Sequence, residues 1–175
     1  MMASRKVSLW VDPLYPYLEG DKLFDREGPA NADEILEPYV VLRERLGRHG
    51  VEVHTADLLS SGRSEPAETN LYVSMGTGRR YRDLSRRPDT ILSAFFVLEC
   101  PIVEPRLFAD LDGASRSFRR FFSFAPDEAL EPFLRRPLAF QPSRFPYPFT
   151  RVDEQAWGSE IELGHSLMFP NRGRF

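Results

Sequence analysis

The sequence predicts an α/β fold: a three-layer, Rossmann-like sandwich around a mostly parallel sheet. Two observations carry this expectation. Strand-like and helix-like hydrophobic patterns alternate along the chain, as crossover connections between parallel strands require. The apolar run Thr90–Leu98 is also long and unbroken enough for a central strand covered on both faces.

Val7–Val11 is short, apolar and β-rich, and it stops at Asp12-Pro13, where proline fixes φ and removes a ladder donor. Pro13 to Asp33 then mixes Pro, Gly and charges without a period, and loops of this length commonly carry function. Asp33 is the expected cap of a helix in which Ile35, Leu36, Tyr39, Val40, Leu42 and Leu46 share mostly one face, with Pro38 near the first turn and Gly50 as the stop. Val51–Thr55 alternates directly after Gly50, which completes a βαβ unit. Ser60–Thr69 reads as a polar loop, Asn70–Met75 as a third strand, Tyr81–Arg86 as a short helix and Thr90–Leu98 as the fourth strand. Pro105 opens a helix through Leu107, Phe108 and Leu111. Phe118–Phe124 follows as a fifth strand, Asp127–Leu134 as a helix and Leu138–Gln141 as a sixth strand. Residues 1–150 are expected to form this domain, and 151–175 an irregular extension with one short helical stretch around Asp153–Trp157.

Composition narrows the function classes. The 175 residues carry a formal charge of −3 and are 42% hydrophobic, which argues against a dedicated nucleic-acid binder and against a disordered acidic tail. The lone Cys100 excludes an internal disulfide, and no Cys/His cluster has zinc spacing. No run approaches the roughly 18 apolar residues of a membrane span, and the N-terminus lacks the apolar core of a signal peptide. A cytoplasmic location is the expectation, with peripheral association at a membrane through a partner left open.

Several groups are candidates for chemistry. Gly76-Thr77-Gly78 follows a strand, where backbone amides can receive a phosphate, but it lacks the spacing of either nucleotide-binding glycine motif, so it reads as a turn that uses glycine's freedom and implies no nucleotide cofactor. Arg79, Arg80, Arg82, Arg86 and Arg87 form either an anion clamp or a solvated face, and the second reading gains from arginine being the general cation here. His54, in an alternating strand, is expected to be a packed or edge residue rather than a base. Asp57, just past the second strand, is better placed for a site, or else caps the next turn. Glu99 ends the central apolar run at the edge where parallel sheets present side chains to a crevice. A carboxylate there, with apolar neighbours, suits a general base, whereas the alternative is a structural carboxylate. Cys100 beside it is expected to be buried and inert.

The segments LGRHGVEVHTADLL, FFVLECPIVEPRLFADL and FRRFFSFAPDEAL, with Glu99-Cys100-Pro101 as a strand-ending Glu-x-Pro motif and Phe145–Phe149 as a proline- and aromatic-rich strand end, resemble glycosyltransferase family 10, the α-1,3/1,4-fucosyltransferases and their bacterial relatives. The resemblance spans roughly Val7 to Phe149 and implies one half of a GT-B architecture, the amino-terminal, acceptor-side domain. It implies that Glu99 is the general base of an inverting transfer, with Asp12, Asp57, Glu104 and Arg106 around the glycan acceptor. It also implies GDP-fucose or another nucleotide sugar as donor, bound by a second domain. Nothing after Ala156-Trp157 resembles that donor domain, so this chain is expected to hold no cofactor or metal and to be inactive alone. Its partners would be the glycan and either a chain carrying the donor domain or a second copy. Two other readings stand beside this one: a non-catalytic module that binds a glycan or small ligand, and a scaffold or subunit that uses the same fold.

Overall fold

Six parallel strands in the order β2-β1-β3-β4-β5-β6 make one sheet in the computed structural model, which describes residues 6–123, 130–135 and 143–144. The strands are β1 (Val7–Asp12), β2 (Val51–Thr55), β3 (Thr69–Ser74), β4 (Thr90–Val97), β5 (Arg120–Ser123) and the two-residue β6 (Ser143–Arg144). Between them run the helices α1 (Glu37–Gly47), α2 (Ala56–Ser60), α3 (Tyr81–Leu84), α4 (Pro105–Ala109) and α5 (Leu111–Ser117). The expected α/β sandwich is therefore present, with every described strand pair parallel.

This order dictates how the layers fill. The chain steps from β1 to β2 in one direction and adds every later strand in the other. Right-handed crossovers therefore put α1 on one face and the remaining helices on the opposite face. Two clusters of buried side chains follow. Trp10, Tyr72, Phe95 and Phe121 from the strands pack with Leu59, Leu84, Leu107 and Leu111 from the α2–α5 layer. On the other face Val11, Val53 and Met75 pack with Leu36 and with Leu18, Leu23 and Phe24 of the loop after β1. Along β4 the register slips by one residue, since Tyr72 pairs with Leu92 and Val73 with Ala94. This bulge at Ser93 puts Leu92, Phe95 and Val97 into the same cluster despite their uneven spacing.

Among the described residues α1 is the one α-helix on its face of the sheet. Beside it lies an apolar groove of about 390 Å³ whose walls include Leu9, Tyr39, Val73, Phe96 and Phe122. It runs along the face of the strands and is separate from the carboxyl-edge chemistry described below.

Some boundaries differ from the sequence expectation. Pro29–Glu34 forms a 3-10 turn, and the helix proper begins at Glu37. The residue before it, Leu36, makes no side-chain cap, and the Leu36 amide donates to Asn31 Oδ1 at 2.7 Å. Pro38 does sit in the first turn, where its missing N–H costs nothing. The long connection after β1 is built from three 3-10 turns, Pro16–Leu18, Lys22–Phe24 and Pro29–Glu34. The helix expected through Leu107 and Leu111 is two short helices that meet at Asp110. In the stretch expected as a helix over Asp127–Leu134, the described part holds a 3-10 turn at Glu131–Phe133. The strand expected at Leu138–Gln141, the Phe145–Phe149 segment and the 151–175 extension lie outside the described residues.

Candidate functional site

In a doubly wound sheet the strand order reverses at one point, and ligands favour the crevice at the carboxyl ends there. Here the reversal lies between β1 and β3, and the chain fills the crevice with its own side chains. Asp12, the last residue of β1, has no exposed surface. Tyr72 donates its O–H to Asp12 Oδ2 at 2.7 Å, and Arg80 donates to Oδ1 at 2.6 Å. The other arm of Arg80 reaches Glu19 at 2.8 Å, and Arg79 donates to the Pro13 carbonyl at 2.7 Å. Burial raises the Asp12 carboxyl above its usual 3.8, opposed by the Tyr72 bond and by the charges of Arg80 and Arg79. Burial also holds the Tyr72 phenol well above its ordinary range, with the Asp12 charge adding to the effect.

The turn after β3 shapes this plug. Ser74 Oγ donates to the Thr77 carbonyl at 2.6 Å and accepts the Thr77 amide at 3.0 Å. Gly76 between them has φ of +93°, and a Cβ there would stand 3.2 Å from the Phe96 carbonyl oxygen. Gly76-Thr77-Gly78 is thus a turn that needs glycine's backbone freedom. The arginines of the cluster pair within this chain, and Arg82 and Arg86 do so on the exposed surface. Besides the bonds of Arg79 and Arg80, Arg82 pairs with Asp110, Arg86 with Asp83 and Arg87 with Asp89.

Asp57 and Asp21 strap the long loop to β2. Asp57, in the first turn of α2, accepts the Gly20 amide at 3.1 Å and the Arg63 guanidinium at 2.6 Å. Asp21 sits in the left-handed region at φ of 64°, a conformation aspartate tolerates better than most residues. Its carboxylate accepts the Thr55 amide at 2.8 Å and lies 2.8 Å from His54 Nδ1. The His54 ring also packs against Trp10, with centroids 5.5 Å apart, so His54 is a packed edge residue as expected. Asp57 lies where the sequence placed it, past the end of β2, with both its partners from this chain.

Glu99 stands two residues beyond the end of β4, on the carboxyl edge, and is partly exposed. Leu98 turns toward the core on the α1 side, and Tyr15 donates its O–H to Glu99 Oε1 at 3.0 Å. Tyr15 stacks on Tyr17 with ring centroids 5.5 Å apart and planes 13° from parallel. Thus the loops that leave β1 and β4 are joined across the sheet edge by a tyrosine and a carboxylate. Glu104 is partly exposed as the residue preceding α4, and Arg106 is exposed in its first turn, further along the same β4 loop. Cys100 is partly exposed rather than buried.

Of the sequence-derived site residues, Glu99, Glu104 and Arg106 share one surface loop. Asp12 lies inside the switch-point plug and Asp57 in the strap. Sequence reasoning missed Tyr15, Tyr17 and Tyr72, and it had Arg80 within the arginine cluster without its internal partner Asp12. Two tyrosines one residue apart in an otherwise polar, proline-rich loop after the first strand were the available signal for the first pair. No signal marked Tyr72, which looks like any alternating strand residue. Among the described residues no group of three or more His, Cys, Asp or Glu side chains is placed to hold a metal ion, and no helix is long and apolar enough to cross a membrane. No family model, no curated protein and no solved structure matches this chain.

Proposed function

We propose that this chain is the acceptor-side half of a glycosyltransferase resembling family 10, with a saccharide held at the carboxyl edge of the sheet and one of its hydroxyls presented to Glu99. The observation that carries the reading is the placement of Glu99: a partly exposed carboxylate just past the central strand, tied by Tyr15 to the loop after β1. In an inverting transfer Glu99 removes the proton of the saccharide hydroxyl. The hydroxyl oxygen bonds to the anomeric carbon of the donor sugar, and the bond from that carbon to the nucleoside diphosphate breaks. The donor, GDP-fucose or a related nucleotide sugar, would be bound by a second Rossmann-like half supplied by other sequence, in the same polypeptide or another. Asp12 and Asp57 then serve by fixing the loop that carries Tyr15, and Glu104 and Arg106 flank the saccharide.

A second reading, a saccharide-binding module without chemistry, is favoured by the Tyr15 bond itself, which occupies one oxygen of the would-be base. Calorimetry with a panel of neutral oligosaccharides and with GDP-fucose, on the wild-type chain and Glu99→Gln, tests both. Saccharide binding that survives in Glu99→Gln, with turnover that appears only when a donor half is added and only for the wild type, supports the transferase. Equal binding with no turnover under any donor condition supports the module. No saccharide binding overturns both.

A further inference from the structure

Six large apolar or aromatic side chains stand out on the described surface: Tyr15, Tyr17, Ile35, Leu42, Ile102 and Val103. Five of them, all but Leu42, belong to the two connections that leave the carboxyl ends of β1 and β4, and Tyr15 and Tyr17 come first after β1. Tyr15 is 42% exposed and Tyr17 59%, although the two rings are stacked on each other. An aromatic pair that is ordered by stacking and still open to water is a preformed surface, since its rotamers are fixed before anything binds. Its chemistry is two-sided: flat apolar faces with a hydroxyl at the edge. Next to it Glu99 keeps Oε2 without a hydrogen-bond partner among the described residues, because Tyr15 engages only Oε1.

That combination fits one class of small ligand well. A pyranose ring has an apolar C–H face and an equatorial rim of hydroxyl donors, so it can lie on an aromatic face while a neighbouring carboxylate accepts from its rim. We propose that the Tyr15–Tyr17 stack is the platform on which a pyranose unit of the saccharide rests, with Tyr17 supplying the ring face and Tyr15 holding Glu99 at the platform's edge. The inference rests on the saccharide reading of the carboxyl edge and deepens it by assigning the contact surface. The stack serves binding; it takes no part in proton transfer. Tyr15 acts through Glu99 and is a positioning residue.

The test is saturation-transfer NMR and calorimetry with methyl β-galactoside, methyl β-glucoside, lactose and cellobiose. The proteins are the wild-type chain, Tyr17→Ala, Tyr17→Phe, Tyr15→Phe and, as a surface control at the amino end of β1, Lys6→Ser. Tyr17 is so exposed that its substitution leaves the fold intact, which circular dichroism checks. Tyr17→Ala is expected to weaken saccharide binding by about tenfold, the scale of one lost aromatic contact. Tyr17→Phe, which keeps the ring face, should recover the binding lost in Tyr17→Ala, and Lys6→Ser should bind like the wild type. Tyr15→Phe keeps the stack and should change which ring protons receive saturation, because Glu99 is no longer held. Saccharide binding that is indifferent to Tyr17→Ala overturns the platform and leaves the saccharide reading standing. Absence of binding by the wild type at millimolar sugar overturns both. Self-association of the wild type that Tyr17→Ala abolishes, without sugar binding, identifies the stack as a contact between copies and also overturns the proposal.

Discussion

Replacing Tyr72 by Phe removes one oxygen from the most buried polar contact at the switch point and changes little else. Tyr72 and Asp12 both have no exposed surface, so water cannot replace the lost O–H donor. Asp12 keeps Arg80 at 2.6 Å, but its Oδ2 loses its partner at 2.7 Å. A hydrogen bond to a charged acceptor contributes about 1.5–3 kcal/mol, so Tyr72→Phe should destabilise the fold by about that amount. For a chain of this length the corresponding fall in Tm is about 3–12 °C. The loss has a pH signature whose sign follows from the Asp12 carboxyl, which burial raises above 3.8 in the folded protein. A group raised in this way contributes stability fully present below its unfolded value and lost as pH rises through its folded value. Removing the Tyr72 donor raises it further, because that bond opposes the shift. The variant's deficit is therefore largest above the folded-state value and shrinks as pH falls toward 3.8. Urea denaturation of both proteins from neutral pH down to pH 4 measures it. A deficit below about 0.5 kcal/mol, under the range for such bonds, or one that does not change with pH, refutes the buried-anion reasoning.

Three further outcomes follow from the same geometry. Arg80→Met removes the cation from a fully buried carboxylate and should cost about 3 kcal/mol in denaturant titrations, more than removing any surface arginine pair, because Asp12 is left buried without its closest counter-charge. Gly76→Ala forces a side chain into φ of +93° against the Phe96 carbonyl, and thermal unfolding should show a loss of about 1–3 kcal/mol. Asp57→Asn weakens the strap on the Gly20 amide, so that amide should exchange hydrogen faster while exchange in the β3 and β4 amides is unchanged.

The parts of the fold legible in the sequence are those where one local pattern decides. Val51–Thr55 announces a strand by alternating directly after Gly50, and the apolar run from Thr90 announces a central one by a composition that burial on both faces leaves. The start of α1 was not legible. Asp33 reads as a cap, yet Pro29–Glu34 forms a 3-10 turn, the helix begins only at Glu37, and no side-chain hydrogen bond caps it. The bulge at Ser93 was equally hidden, since it comes from pairing with β3 and not from the composition of β4. At the site, Glu99 was visible as the carboxylate that ends an apolar run. Its partner Tyr15 is 84 residues away and could be found only once the strand order brought the two loops together. Asp12 looked like an edge carboxylate open to a ligand. Its engagement by Tyr72 and Arg80 arises from contacts across 60 and 68 residues, beyond the reach of local pattern.

The central claim is that a saccharide binds at the carboxyl edge around Glu99. Backbone chemical-shift mapping of the isotope-labelled chain titrated with lactose and cellobiose tests it most directly. Shifts should concentrate at Tyr15, Tyr17 and residues 98–104, with the Leu9, Val73 and Phe122 amides along the apolar groove unmoved. Shifts confined to the groove, or none at millimolar saccharide, would contradict it.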